Sequence, residues 1–203
     1  MGGSWIMMAE NGKTVFVYGD GPICGEICLH FARNGAKVGF ACRTDAAASG
    51  LARSIESAGA RALACVVQRP CAEELSRAVI AVAEEFCGIG RLVYARSASG
   101  APGALLLDLD ESDWDCAMDD AKAFFLLCKY ALPYLINEKD SSVIIIDGNE
   151  ADAQSLPGLA SSKALEAAAG RMASELSGFG VSVSYERVAD GEVARALRRR
   201  RKI

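Results

Sequence analysis

The chain has a single histidine, His30, among its 203 residues, so no Ser-His-Asp or Cys-His catalytic set can be assembled within it. No run approaches the ~18 consecutive apolar residues of a membrane span. The start lacks a basic segment followed by an apolar stretch, which argues against a secretory leader. Eight cysteines are scattered without a C-x-x-C; Cys24 and Cys28 stand one helical turn apart but lack further ligands for zinc. Most are expected to be small buried hydrophobes in a reducing cytoplasm. Basic charge is sparse until the end: six of the 22 Lys and Arg residues are Arg195, Arg198 to Arg201 and Lys202. Taking those six from the net charge of -4 leaves -10 for the rest, which excludes a nucleic-acid-binding body.

With 51% hydrophobic residues over this length, the chain is expected to form one domain, residues 1–191, followed by a solvated basic tail, 192–203. Residues 1–10 are expected to be disordered, Met1-Gly2-Gly3-Ser4 reading as an added leader and Met7 or Met8 as the natural start.

Strand and helix patterns alternate along the chain. Thr14 to Tyr18 is a β-rich run ending at a Gly-Asp-Gly-Pro turn, and Gly25 to Asn34 has helical spacing stopped by Gly35. Further strands are predicted at Lys37–Ala41, Ala62–Val67, Arg91–Ala95, Ser142–Ile146 and Val181–Tyr185. The helices between them are predicted at Ala46–Ala58, Ala72–Cys87, Ser112 to beyond Leu135, and Leu159–Leu176. Such alternation implies right-handed crossovers and a parallel sheet covered on both faces: a Rossmann-like, doubly wound, three-layer α/β/α fold.

Residues Leu156 to Glu166 read L-P-G-L-A-S-S-K-A-L-E. This resembles the P-G-x-x-x-Y-x-A-S-K-A-A-x helix of the short-chain dehydrogenase/reductase family, with Lys163 kept and Leu159 at the position of the catalytic tyrosine. Phe31 to Val38, Leu92-Val93, the long helix with Trp114, Phe125, Lys129 and Pro133, and Ala173-x-Glu175-Leu176 resemble other family segments in order and spacing.

Set against the family's T-G-x-x-x-G-x-G loop, Tyr18-Gly19-Asp20-Gly21-Pro22-Ile23-Cys24-Gly25 keeps the outer glycines Gly19 and Gly25. Ile23 stands at the middle glycine, where a β-branched side chain obstructs the approach of a pyrophosphate. Pro22 removes a backbone N–H, and Asp20 sets a carboxylate where a phosphate sits and where it can satisfy the helix N-terminus. Cys42 takes the place of the acidic residue that meets ribose, Arg43 could meet a 2′-phosphate, Gln68 aligns with an adenine-contacting aspartate, and Tyr94-Ala95-Arg96-Ser97 replaces N-N-A-G. Gly148, in Asp147-Gly148, replaces the serine that orients the substrate, and Asp120 or Ala121 occupies the asparagine position. Lys163 is expected to be vestigial and paired with Asp120 or Asp147. After the sixth strand, Val188-Ala189-Asp190-Gly191 lies where the family has P-G, and its substrate-loop helices have no counterpart.

The resemblance therefore implies a chain that binds no cofactor and is no enzyme by itself: a cytoplasmic, non-catalytic subunit paired with an active family member that holds NAD or NADP. A hetero-oligomeric alcohol dehydrogenase, of the kind used in anaerobic toluene degradation, is the expected setting. The interface is expected from Phe124, Phe125, Leu126 and Tyr130 on the long helix and Ala160, Ala164, Ala167, Ala168 and Gly170 on the later one. No membrane, nucleic acid or metal is expected as a partner. An alternative is a divergent NAD(P)-dependent oxidoreductase with relocated donors among Ser155, Ser161, Tyr185, Tyr94 and Asp147. A third reading is an anion-binding module around Arg96, Asp120 and Lys163.

Overall fold

The computed structural model describes residue 10 and residues 12–96, 104–148 and 155–188. The basic tail, residues 1–9 and Ala189 to Gly191 lie outside the described residues.

Six parallel strands form one sheet in the order β3-β2-β1-β4-β5-β6. They are β1 (Thr14–Gly19), β2 (Lys37–Cys42), β3 (Ala62–Val66), β4 (Arg91–Arg96), β5 (Ser142–Asp147) and β6 (Ser182–Arg187). The helices are α1 (Gly21–Arg33), α2 (Asp45–Ser57), α3 (Ala72–Phe86), α4 (Glu111–Leu135) and α5 (Leu156–Leu176). This is the doubly wound fold implied by the alternating pattern. The strand order reverses between β1 and β4, where such sheets open a crevice at their carboxyl ends.

Side chains of period two divide the core between the two faces. Along β5, Val143 and Ile145 join Phe16, Leu92, Tyr94, Phe124 and Leu165 beneath α3, α4 and α5. Ile144 and Ile146 join Val15, Val17, Ile23, Ile27 and Phe40 beneath α1 and α2. Because β5 is apolar on both faces, its sequence shows an unbroken V-I-I-I run rather than alternation. At the amino end of the sheet, buried Arg91 pairs with Glu10 at 2.8 Å and donates to the Ser142 hydroxyl at 2.8 Å.

Several boundaries differ from expectation. α1 begins at Gly21 rather than Gly25, because Pro22 in the first turn has no N–H to leave unsatisfied there. α5 begins at Leu156, three residues early, because the Ser155 hydroxyl caps the Gly158 N–H. β6 extends to Arg187, two residues further than predicted, its register against β5 continuing to Asp147–Arg187. Of the cysteines, Cys24, Cys28, Cys42 and Cys128 are buried and Cys65 partly so, while Cys71 and Cys87 at the ends of α3 and Cys116 on α4 are exposed. No described helix is long and apolar enough to cross a membrane.

Candidate active site

The carboxyl ends of β4, β5 and β6 carry Arg96, Asp147 and Arg187 at matching register, all toward the face covered by α4 and α5. Arg96 is fully buried between those helices. Its Nε lies 3.2 Å from Asp120 Oδ2, its Nη1 3.0 Å from Asp147 Oδ1, and its Nη2 donates to the Gly158 carbonyl at 3.4 Å. One guanidinium thus ties α4, β5 and α5 together, and it replaces an alanine of the N-N-A-G motif. Asp120 faces the site, whereas Ala121 packs against the core; the asparagine position is resolved in favour of Asp120. The Tyr94 hydroxyl donates to the Asp120 carbonyl at 2.9 Å, and burial pushes that phenol's pKa up.

The other oxygen of Asp147 collects hydroxyls. Tyr185 Oη donates to Oδ2 at 2.5 Å and Ser162 Oγ at 2.7 Å, with the two hydroxyl oxygens 3.0 Å apart. Arg187 Nη2 donates to Ser162 Oγ at 2.8 Å. Burial tends to raise the pKa of Asp147, but the hydrogen bonds from Tyr185 and Ser162 and the charge of Arg96 outweigh it and hold the carboxyl below its ordinary value. Burial and the bond to Asp147 raise the Tyr185 phenol, so it keeps its proton at neutral pH. The hydrogen-bond relation to Tyr185 likewise raises Arg187.

Lys163 is not part of this cluster. Its ammonium is exposed and pairs with Glu166 at 2.7 Å, one turn along α5, which corrects the expectation of Asp120 or Asp147 as its partner. Arg96 already engages both carboxylates from the sheet, so they exert no pull on a helix-surface lysine. The same arrangement removes the expected anion-binding pocket: Arg96 is buried in ion pairs and Lys163 lies elsewhere. Leu159, at the tyrosine position, is partly exposed.

Of the relocated donors considered, Ser155 is a helix cap, Tyr94 is fully buried beneath α4, and Ser161 is buried with no hydrogen-bond partner for its hydroxyl. Tyr185 and Asp147 come together with Ser162 at the sheet edge. Ser162 and Arg187 are the members that sequence reading missed. The only local signal was that Arg187 continues the two-residue period of Val183 and Tyr185 along β6.

Beside this cluster runs the crevice between β1 and β4. Gly19 is required there, since a Cβ would stand 2.1 Å from the Ala95 carbonyl oxygen. Asp20 does not cap α1 as expected. Its carboxylate pairs with Arg43 Nε at 2.7 Å and accepts the Arg43 backbone N–H at 3.2 Å, linking the ends of β1 and β2. A cleft of about 330 Å³ opens next to this pair, lined by Tyr18, Arg43, Gln68, Pro70 and Asp119 among others.

That cleft has room for an adenosine group beside the Gly19 turn, with the Arg43 cation on one side and Asp115, Asp119 and Asp120 on the other. At the other end, Ile23 leans over Gly148, its Cδ1 only 1.8 Å from where a Cβ on residue 148 would be. A nicotinamide group reaching Gly148 would need Ile23 to turn aside. Among the described residues, no cluster of His, Cys, Asp or Glu is placed to hold a metal ion.

The residues expected at an interface divide between core and surface. Phe124 is 1% exposed and packs edge-on against Tyr94, and Leu126 is also buried, so both belong to the core. A 25-residue helix lying along a sheet turns those positions inward. Phe125 is 59% exposed, and Ala164 and Ala167 are exposed on α5, while Tyr130, Ala160 and Ala168 are half-buried.

The family profile described as "Enoyl-(Acyl carrier protein) reductase" matches residues 20–185. Hydroxysteroid dehydrogenase-like protein 2 of Bos taurus is 31% identical over 151 residues, covering 68% of this chain and 36% of that protein. Its counterpart in Danio rerio is 29% identical over 150 residues, with the same two shares. The chain thus spans about a third of the length of the curated relatives it matches. Among solved structures, a dehydrogenase/reductase from Sinorhizobium meliloti superposes with a TM-score of 0.79 at 26% identity, covering 94% of this chain and 81% of that one. A short-chain dehydrogenase from Burkholderia cenocepacia, in complex with NADP, gives 0.78 at 24% identity, covering 87% and 74%.

These matches correct the expectation that the chain is no enzyme by itself: the proteins it is similar to are dehydrogenases and reductases. The expectation rested on Asp20, Pro22 and Ile23 in the glycine loop, on Gly148, on Leu159 and on the missing substrate-loop helices. β6 brings another tyrosine, Tyr185, to Asp147. The profile covers more than half of the sequence, and the chain belongs to the short-chain dehydrogenase/reductase family of oxidoreductases.

Proposed function

We propose that this chain is an NAD(P)-linked oxidoreductase acting on a carbonyl or alcohol, with its proton-exchanging hydroxyl moved from α5 to β6. The observation that carries the reading is the Tyr185 phenol held 2.5 Å from Asp147 and 3.0 Å from Ser162, at the sheet end next to Gly148. This reading takes the place of the expectation that only a partner chain holds the cofactor.

Tyr18, Gly19, Arg43 and Gln68 would hold the nucleotide. A bound nicotinamide supplies a hydride to a carbonyl carbon or removes one from an alcohol. Tyr185 carries its proton at neutral pH, as a phenol of ordinary pKa about 10 already does, and it delivers that proton to the oxygen of the reduced substrate by turning its hydroxyl from Asp147. Arg187 stands beside the phenol oxygen and stabilises the phenolate left behind. Ser162 fixes the phenol's position between Asp147 and Arg187, and Arg96 holds Asp147 ionised. Leu159 and Lys163 play no part.

The test is oxidation of NADPH or NADH with a panel of ketones and aldehydes. Wild type is expected to turn over, and Tyr185→Phe to lose about 10²–10⁴-fold in kcat, the usual contribution of a general acid. Equal rates in the two proteins would place the donor elsewhere; no cofactor oxidation by wild type at millimolar nucleotide would remove the reading.

A second family member is proposed as its companion, docking on the outer faces of α4 and α5. Exposed Phe125, Trp114 and Leu159 support this, being large apolar groups on the two helices that also present Ala164 and Ala167. Co-expression with an intact family member should give a stable complex that Phe125→Asp dissociates; a wild-type chain that stays monomeric beside it refutes the pairing.

A further inference from the structure

We infer that Ile23 is the specificity-determining residue of the nucleotide cleft: its side chain shuts the end above Gly148, so the chain discriminates against the nicotinamide half and not the adenosine half. The inference rests on the nucleotide reading above and deepens it.

Ile23 lies in the first turn of α1, on the rim of the crevice where the strand order reverses. It is 8% exposed and belongs to the core under α1 and α2, yet its Cδ1 and Cγ1 lie 1.8 and 3.2 Å from a Cβ built on Gly148. No side chain can stand at residue 148 while Ile23 keeps this rotamer. Gly148 has nowhere else to go, since its N–H is bonded to the Arg96 carbonyl oxygen at 3.1 Å and that oxygen is 3.4 Å from the same Cβ.

Residues 23 and 148 are therefore a reciprocal steric pair. A β-branched side chain stands where the family loop has glycine, and glycine stands where the family has serine. A ligand that reaches Gly148 meets the same methyl group that a serine would meet. Neither Ile23 nor Gly148 lines the cleft near Tyr18 and Arg43.

Turning one side chain out of its rotamer well weakens binding by roughly three- to tenfold. Ile23→Val removes Cδ1 and nothing else, which makes it the sharpest probe; Ile23→Ala removes Cγ1 and Cγ2 as well. Binding of NADPH, NADH and ADP-ribose would be measured by calorimetry on wild type and both variants. Ile23→Val is expected to tighten the two dinucleotides about three- to tenfold, Ile23→Ala at least as much, and ADP-ribose to change less than about twofold. Equal gains for ADP-ribose, or no gain for the dinucleotides, overturn the inference.

A thermal-denaturation cycle reads the same contact without ligand. Gly148→Ala should lower the melting temperature in wild type and lower it clearly less in the Ile23→Val background. Equal losses in both backgrounds also overturn the pairing. The two readings separate cleanly. Dinucleotide binding by Ile23→Val but not by wild type upholds the discrimination and refutes wild type as an NAD(P)-linked enzyme. Binding by wild type with no gain in the variant does the reverse, and binding by neither refutes both.

Discussion

Replacing Arg96 with methionine removes the buried cation paired with Asp147. Both side chains of that pair are fully buried, so the carboxylate cannot recover hydration by turning outward. Removing one partner of a buried ion pair costs about 3–5 kcal/mol. Asp147 keeps its hydrogen bonds from Tyr185 and Ser162, and Asp120 is partly exposed and can hydrate, so the lower half of that range is expected. For a chain of this size that lowers the melting temperature by roughly 6–15 °C. Urea and thermal denaturation at pH 7 measure it directly.

The double variant Arg96→Met with Asp147→Asn should regain at least half of the loss, because no unpaired charge remains at Asp147. The single variant also carries a pH signature. Without Arg96 the folded pKa of Asp147 rises relative to wild type, so the stability deficit is smallest at acid pH, where the carboxyl is protonated in both proteins, and grows as pH rises through the carboxylate range. A single variant within about 1 kcal/mol of wild type at pH 7, or a deficit flat with pH, would refute the reasoning that Arg96 is the cation that makes this buried carboxylate tolerable.

Other outcomes follow from the same geometry. In the wild type Asp147 is held below its ordinary value, so its contribution to stability is present above about pH 4 and is lost as pH falls through the folded pKa; Asp147→Asn should flatten the acid limb of the stability curve. Tyr185 and its neighbours behave oppositely: the raised phenol pKa contributes stability below about pH 10 that is lost at higher pH, and Tyr185→Phe should shift the alkaline unfolding midpoint upward relative to its own neutral stability. Lys163→Met should change neither melting temperature nor turnover, since its ammonium meets only Glu166 at the surface; a large loss of rate would return the lysine to the reaction. Arg187→Leu should reduce turnover while Arg187→Lys recovers part of it, because the cation is needed beside the Tyr185 oxygen.

Much of the fold was legible because its signals are local. The V-I-I-I run of β5, the Phe31 face of α1 and the glycines that follow helices act within a few residues, and alternation alone orders them into a parallel sheet. The departures from the family motif were equally plain, since Leu159, Gly148 and Ile23 are single letters at fixed spacing. What those departures meant was not. Lys163 reads as the last member of a catalytic set, yet it points outward, and the side chains that meet Asp147 lie 51, 15 and 38 residues from it in Arg96, Ser162 and Tyr185.

The sequence by itself determined the order of elements, the sheet class and which family positions had changed, because hydrophobic period and turn chemistry are properties of neighbouring residues. Only the tertiary structure decided what filled those positions. Arg96, Asp147 and Arg187 become neighbours through the register of three strands, and Ile23 meets Gly148 through the docking of α1 across the sheet end. Contacts of that range depend on where whole elements pack, and a steric pair such as Ile23 and Gly148 shows as two unrelated substitutions until the backbone brings them within reach.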